Sequence, residues 1–209
     1  MKHRIRRFLF AAALVAAYTA CSDSTGGGDG GRTDLTFLRL TDTAPPLCSS
    51  TVSAWFKKDP AGQDSTIALV FPEAGSTCAG STHDFLRLKL KPLSLQRWPD
   101  STLISNGDSV LITVTWLGND SILFDLQPTG LIFDPANPAE LKIEYDEASD
   151  DLNHDGQVDG TDDTIERELD IWRQERPGDP YVRVGTAKAE ETNEIEAKLN
   201  GFSRYAIAY

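Results

Sequence analysis

The chain has 209 residues, with 32 acidic and 20 basic side chains and a formal net charge of −12 at pH 7. The first twenty residues hold four of the basic side chains and none of the acidic ones, so residues 21–209 carry a net charge of −16. Such an acidic surface repels nucleic acid and anionic headgroups and attracts cations, which excludes a nucleic-acid-binding function.

The N-terminal segment has the layout of an export signal. Four basic side chains lie between residues 2 and 7, and residues 8–17 form an apolar run that is too short to span a bilayer. The run leads into "YTAC", and Ala20 and Cys21 resemble the cleavage box of a bacterial lipoprotein signal. The sequence therefore predicts a signal peptide over residues 1–20.

This resemblance implies that Cys21 is lipidated and becomes the new N-terminus. A tether rich in Gly, Ser and Asp follows over residues 21–33, as an anchored domain needs. We expect an exported protein held at a bacterial membrane through acyl chains, on the periplasmic side or at the cell surface. The alternative is ordinary cleavage, for example after Ala17, which would leave Cys21 as a spare thiol.

Two further cysteines, Cys48 and Cys78, remain once Cys21 is set aside. An exported protein folds in an oxidising compartment, so a disulfide between them is the simplest expectation. The alternative is a pair of reduced, buried thiols. Two isolated cysteines without a neighbouring histidine do not suggest a metal site.

Strict alternation of apolar and polar residues recurs along the rest of the chain. This period of two is typical of half-buried strands, and short polar turns separate the runs. The sequence therefore predicts an all-β fold, an antiparallel β-sandwich. The clearest runs cover residues 85–90, 110–116, 139–145, 194–199 and 203–209.

Residues 34–80, which precede the predicted sandwich, allow two interpretations. Residues 34–80 contain strand-like segments such as "STIALVF". They either add strands to the sandwich of residues 81–209 or form a small β-unit in front of it.

Three motifs resemble the ZU-type β-sandwich domain of ankyrins, zonula occludens proteins and netrin receptors. They are "P-x-G-L-x-F" at residues 128–133, "P-A-x-L-x-I-x-Y" at 138–145 and "F-S-R-Y-A" at 202–206. The resemblance covers roughly residues 85–209. It implies a sandwich with an interaction role and no catalysis of its own. An acidic insertion after the second motif departs from the family pattern.

That insertion, "DDLNHDGQVDGTDD", matches a twelve-residue calcium loop in one register, with Gly156 at the sharp turn and Val158 at the apolar position. It resembles a single dockerin-like or EF-hand-like loop, so the cohesin binding of paired loops is not expected. Oxygen ligands alone disfavour zinc and copper, and magnesium is a weaker candidate because it prefers fewer protein ligands. We therefore expect one structural Ca²⁺. The alternative is a solvated acidic loop. The predicted ligands are Asp151, Asn153, Asp155, the Gln157 carbonyl, Asp159 and Asp162.

A short helix is expected after the loop, capped by Thr161 or Asp162, with Ile165 and Leu169 on one face. A strand beginning near "LDIWRQ" should follow the helix. The predicted insertion is therefore a strand, a loop, a helix and a second strand.

Catalytic motifs are absent from the sequence, and we expect a protein that is not an enzyme. His83 beside Asp84 is interpreted as surface or turn chemistry, and His154 as a surface residue. Trp116 is assigned to the core. Trp98 is the best candidate for an exposed aromatic side chain, and the equally weighted alternative is that it packs in the core or at an edge. The predicted function is a lipid-anchored binding or structural module of the cell envelope, with a protein or glycan partner. The alternatives are a carbohydrate-binding accessory module and a cryptic hydrolase.

Overall fold

A computed structural model describes residues 31–189 and 192–209 of the chain. The predicted signal peptide, Cys21 and the tether as far as residue 30 lie outside the described residues. Within the described part, no helix combines the length and the apolar character needed to cross a bilayer.

Strands dominate the described residues, as the alternating pattern predicts. Thirteen strands and one helix are described, in the order β1 Thr51–Lys57, β2 Ser65–Pro72, β3 Thr82–Leu90, β4 Leu95–Arg97, β5 Ser109–Trp116, β6 Leu123–Gln127, β7 Ile132–Phe133, β8 Ala139–Glu144, α1 Gly160–Glu168, β9 Asp170–Gln174, β10 Tyr181–Val184, β11 Thr186–Ala189, β12 Glu194–Leu199 and β13 Arg204–Ala208.

The strands form two main sheets and one small one, with antiparallel pairing throughout. The first sheet has the order β1-β5-β6-β13-β9-β10, the second β11-β12-β8-β3-β2, and β4 pairs with β7. Strand β13 follows every other strand in the sequence, yet it lies between β6 and β9 inside the first sheet. The expected all-β, antiparallel sandwich-like fold with one short helix is confirmed.

Residues 34–80 contribute to both sheets. Strand β1 pairs with β5 in the first sheet, from Thr51↔Thr115 to Lys57↔Ser109. Strand β2 pairs with β3 in the second sheet, with one register shift between Leu69 and Val70. The strands of this segment are therefore integrated into the sheets that the rest of the chain builds.

The core lies between the apolar faces of the two main sheets. Phe85 of β3 makes edge contacts across this interface with Phe124 of β6 and Trp116 of β5, at ring-centroid distances of 5.1 and 6.2 Å. Edge-to-face pairs at these distances are favourable beyond the apolar area that they bury. The expected inward residues of the strands, such as Ile112, Leu141 and Ile207, are fully buried.

A buried carboxylate holds the end of the sandwich where β9, β10 and β11 meet. Asp170 of β9 is 4% exposed and accepts hydrogen bonds from Arg183 Nε of β10 and from Thr186 Oγ1 of β11, the latter at 2.6 Å. The guanidinium pairs with the buried charge, and β10 and β11 belong to different sheets. Asp170 therefore links the two sheets where the chain passes from one to the other.

The expected disulfide between Cys48 and Cys78 is present, with a Cα–Cα distance of 5.3 Å across 30 residues of sequence. It joins the segment before β1 to the turn between β2 and β3. The backbone N–H of Cys48 also donates to the carbonyl of Val70 at 3.0 Å. The disulfide therefore connects the segment that enters β1 of the first sheet to the turn between β2 and β3 of the second sheet.

Replacing both Cys48 and Cys78 with Ser should lower the free energy of unfolding by about 3 kcal/mol, because the unfolded chain loses a loop constraint. Urea unfolding followed by tryptophan fluorescence measures the change. Reductant should destabilise the parent protein by a similar amount and leave the double variant unaffected. A parent protein that is insensitive to reductant, in a state where the bond is demonstrably broken, would contradict the prediction.

Candidate metal centre

The predicted calcium loop lies in the chain segment that crosses from one sheet to the other. Strand β8 belongs to the second sheet, and α1 leads into β9 of the first sheet. The loop from Asp151 to Asp162 occupies this crossing together with the first turn of α1. Its conformation therefore affects how the two sheets are connected.

The residues that lead into the loop are hydrogen-bonded to the segment before β1. The N–H of Thr41 donates to the Glu147 carbonyl, and the N–H of Ser149 donates to the Arg39 carbonyl, both at 2.9 Å. The Tyr209 hydroxyl donates to the carbonyl of Leu152 at 2.6 Å. The residues that precede the loop are thus held against the segment before β1, and Leu152 is held by Tyr209, the residue after β13.

The first half of the loop turns around the carboxylate of Asp151. Its Oδ1 accepts from the N–H of Asp155 at 3.1 Å, and its Oδ2 accepts from the N–H of Gly156 at 2.8 Å. His154 and Gly156 have φ angles of +60° and +85°. Glycine suits this left-handed region because it has no Cβ, so Gly156 lies where the predicted register requires a sharp turn.

Asn153 and Asp155 continue the turn with hydrogen bonds of the same kind. Asn153 Oδ1 accepts from the N–H of Asp155, and Asp155 Oδ1 accepts from the N–H of Gln157, both at 2.9 Å. Asn153 Nδ2 also donates to Asp155 Oδ2 at 3.1 Å. Successive side-chain oxygens therefore point back toward the loop backbone.

The second half of the loop is the start of α1. Asp159 is the N-cap residue, and its Oδ1 accepts from the N–H of Thr161 at 2.7 Å. Asp162 returns the contact, since its Oδ2 accepts from the N–H of Asp159 at 2.8 Å. The expected cap at Thr161 or Asp162 is wrong, because Asp159 supplies it and Asp162 completes a reciprocal capping box.

Asp162 is the central acceptor of the loop, although it is 3% exposed. Its Oδ1 accepts from the N–H groups of Leu152 and Asn153 at 2.7 and 3.2 Å. The hydrogen bond from Asp159 is the main reason that the pKa of the Asp162 carboxyl lies below its ordinary value. The bonds from Leu152 and Asn153 act in the same direction, while burial opposes them.

Lys188 of β11 binds the other end of α1. Its Nζ donates to the carbonyls of Glu166 and Arg167 at 3.1 and 2.7 Å. An ammonium group at a helix C-terminus satisfies carbonyls that have no partner within the helix and opposes their partial negative charge. The expected apolar face is present, with Leu169 buried and Ile165 half-buried against the core.

The structure brings the predicted ligands into one loop but does not gather their carboxylates around one point. In the described ranges, the only group of three His, Cys, Asp or Glu side chains whose ligand atoms all lie within 4.8 Å of one another is His83, Asp146 and Glu147. The loop oxygens contact backbone amides instead. The donor set is all oxygen and the turn is formed, so the residues suit Ca²⁺ chemically. Binding one ion would require the carboxylates to move closer together.

The structure also gives the exposure of Val158 and of Trp98. Val158, at the apolar position of the loop, is 68% exposed. Trp98 packs half-buried against the core, whereas Trp55 is 69% exposed on β1. The side chains of β1 alternate between two faces, and the sequence pattern does not show which of these faces meets solvent.

His83 was also missed as a candidate site residue. Its sequence neighbour Asp84 pairs with Arg87 at 3.2 Å, while His83 Nε2 faces Asp146 and Glu147. The contact follows from the register of β3 and β8, which pairs Leu86 with Ile143 and which no local sequence pattern indicates. Extending that antiparallel register by three residues sets His83 opposite Asp146.

Comparison of the chain with protein-family models, with curated proteins and with solved structures gave no match.

Proposed function

We propose that this protein is an exported, lipid-anchored module of the cell envelope in which one Ca²⁺ ion fixes the crossing between two sheets of a binding domain. The observation that carries the proposal is the loop from Asp151 to Asp162. It combines a complete calcium-loop residue pattern with a formed turn and a capped helix.

The charge of the loop supports a cation. Asp151, Asp155, Asp159 and Asp162 lie within twelve residues, in a chain whose net charge is already strongly negative. Backbone amides partly offset this charge, but an amide carries only a partial positive charge. A divalent cation would draw the four carboxylates together and remove their mutual repulsion.

The ion would be held by the predicted ligands. Side-chain oxygens of Asp151, Asn153, Asp155, Asp159 and Asp162 would bind it together with the backbone carbonyl of Gln157. The ion's contribution is structural, since calcium supplies a hard positive charge and no redox chemistry. Because the loop joins β8 to β9, fixing it would stabilise the connection between the two sheets.

The remaining features support a module that binds a partner and does not catalyse a reaction. The second and third of the motifs that resemble the ZU-type domain overlap β8 and β13 of the two main sheets, and the acidic loop follows β8. Lipidation at Cys21 and the tether after it would hold the domain near a membrane surface while leaving it free to rotate. A protein or glycan partner would then bind at the exposed faces of the sheets.

A glycan-binding role is a second candidate, and the exposed Trp55 favours it. Trp55 faces solvent opposite Leu111 on the outer side of the first sheet. Hydroxyl pairs extend along the same strands, with Ser53 and Thr113 at 2.7 Å and Thr51 and Thr115 at 3.2 Å. An exposed indole beside a row of hydroxyls suits the apolar face and the hydroxyl groups of a sugar.

Calcium at about ten times its dissociation constant should raise the free energy of unfolding by about 1.4 kcal/mol, because the ion binds only the folded loop. For a domain of this size the melting temperature should rise by roughly 3–6 °C. Calorimetry and thermal melting, with calcium and then with chelator, measure both effects. An unchanged melting temperature without binding heat up to millimolar calcium would refute the proposal.

Alanine at both Asp151 and Asp155 should abolish the calcium effect, because each of these side chains supplies a predicted ligand. Alanine at Asp150 and Asp163 makes a matched control, since these aspartates flank the loop outside the ligand set. The control should lose some electrostatic attraction but keep stoichiometric binding. Equal loss in both double variants would indicate a diffuse acidic surface instead of a site.

Replacing Cys21 with Ser should release the protein from membranes, because a single residue carries the predicted anchor. Fractionation of cells that express each form measures the release. Matched replacement of Cys48 and Cys78 should leave the membrane fraction unchanged. A Cys21→Ser variant that stays membrane-bound, or a parent protein that is already soluble, would contradict the lipid anchor.

Replacing Trp55 with Ala should reduce retention on insoluble polysaccharides, if any of cellulose, chitin or xylan retains the parent protein. Its free energy of unfolding should change by less than about 0.5 kcal/mol because the side chain is exposed. Leu103→Ala, at an exposed apolar residue elsewhere, is the control. A parent protein that none of the three retains would remove the support for glycan binding.

A further inference from the structure

A second group of metal-ligating side chains lies outside the predicted calcium loop. His83 stands near the start of β3, and Asp146 and Glu147 lie in the turn that follows β8. The distances from His83 Nε2 are 3.8 Å to Asp146 Oδ2 and 3.9 Å to Glu147 Oε1. One ligand atom from each of the three residues therefore lies within 4.8 Å of the other two.

These separations are too long for hydrogen bonds. An N–H group and a carboxylate oxygen in contact are about 2.7–3.2 Å apart, so each gap exceeds that range. Among the described residues, His83 Nε2 is a buried atom with no hydrogen-bond partner. A buried, unsatisfied imidazole nitrogen is costly, which indicates that this atom has a partner of another kind.

The separations come close to those around a small divalent ion. Bonds from zinc to nitrogen and oxygen are about 2.0–2.2 Å, so two ligands of a tetrahedral zinc stand roughly 3.3–3.6 Å apart. The observed gaps are only a few tenths of an ångström wider. Small side-chain rotations would close them around an ion.

The surroundings fix the three residues from both sides. The His83 ring packs against the ring of Phe71, at a centroid distance of 5.7 Å, and Phe71 is 1% exposed. The turn that bears the two carboxylates is held by the N–H of Thr41, which donates to the Glu147 carbonyl, and by the N–H of Ala148, which donates to the Tyr145 carbonyl. The ring packing on Phe71 and the hydrogen-bonded turn therefore restrict where the imidazole and the two carboxylates can lie.

The two carboxylates also crowd each other. Burial, and then the charge of Asp146, raise the pKa of the Glu147 carboxyl above its ordinary value, and His83 only partly offsets this. The side chains of His83 and Glu147 are 20% and 27% exposed, whereas that of Asp146 is 48% exposed. The ligand atoms are therefore shielded on the protein side and open to solvent through Asp146.

We propose that His83, Asp146 and Glu147 form a binding site for a divalent transition-metal ion, with zinc as the ion that fits best. An imidazole nitrogen with two carboxylate oxygens is a ligand set that zinc accepts and that calcium does not prefer. Three protein ligands leave a fourth position for water or for a donor group of a partner. The site shares no predicted ligand with the calcium loop, so it does not depend on the calcium proposal.

Titration of the full chain with zinc tests the proposal, in detergent and with calcium in excess so that the loop does not compete for zinc. We expect saturable binding of one zinc ion per chain. His83→Gln should weaken zinc binding by at least about 10–100-fold, which is the effect of losing a residue that only hydrogen-bonds to a metal ligand. Glu147→Gln should weaken it similarly, and His154→Gln should leave it unchanged because His154 is exposed in the other loop.

Histidine side-chain NMR of the parent protein provides a readout that needs no variant. The ring signals of His83 should shift when one equivalent of zinc is added, while those of His154 stay in place. Three results would overturn the proposal. The first is that the protein binds no zinc and the His83 signals do not shift. The second is that His154→Gln weakens zinc binding as much as His83→Gln does. The third is that zinc binding is lost in the Asp151→Ala and Asp155→Ala double variant but not in His83→Gln.

Discussion

The packing of two apolar sheet faces against each other is the interaction on which the other features depend. Phe85 of the second sheet contacts Phe124 and Trp116 of the first across this interface, and most inward residues of the long strands are buried there. The segment before β1 and the turn after β8 are held together at one end of the sandwich. Both candidate metal sites lie at that end, so their geometry follows from the way the sheets are connected.

The elements that the sequence predicts well are those determined by neighbouring residues. Alternation identifies strands because the side chains of a strand point to opposite faces in turn. The helix after Asp159 and the turn at Gly156 also follow from local patterns. The N-cap residue of α1 was predicted wrongly, because Asp159 and Asp162 cap the helix as a reciprocal pair and the preference of each residue alone does not reveal such a pair. The Cys48–Cys78 pairing could be predicted because only these two cysteines remain once Cys21 is assigned to the predicted lipid anchor.

Features that depend on strand pairing were not predictable in the same way. The pairing of β3 with β8 brings His83 beside Asp146 and Glu147, although more than sixty residues separate them in the sequence. The exposure of Trp55 depends on which face of β1 meets β2 and which meets solvent. The two candidate sites differ accordingly, since one is contiguous in sequence and the other exists only in the folded chain.

The position of β13 inside the first sheet has a consequence for how the molecule acquires its structure. Until β13 is added, β1-β5-β6 and β9-β10 are separate groups, each with an open edge toward the missing strand. Such edges can pair with other chains and cause aggregation. Most of the pairing is also distant in sequence, which slows folding. A chain synthesised from its N-terminus therefore keeps these edges unpaired until residues 204–208 have emerged, and its partly formed sheets are most open to aggregation in that interval.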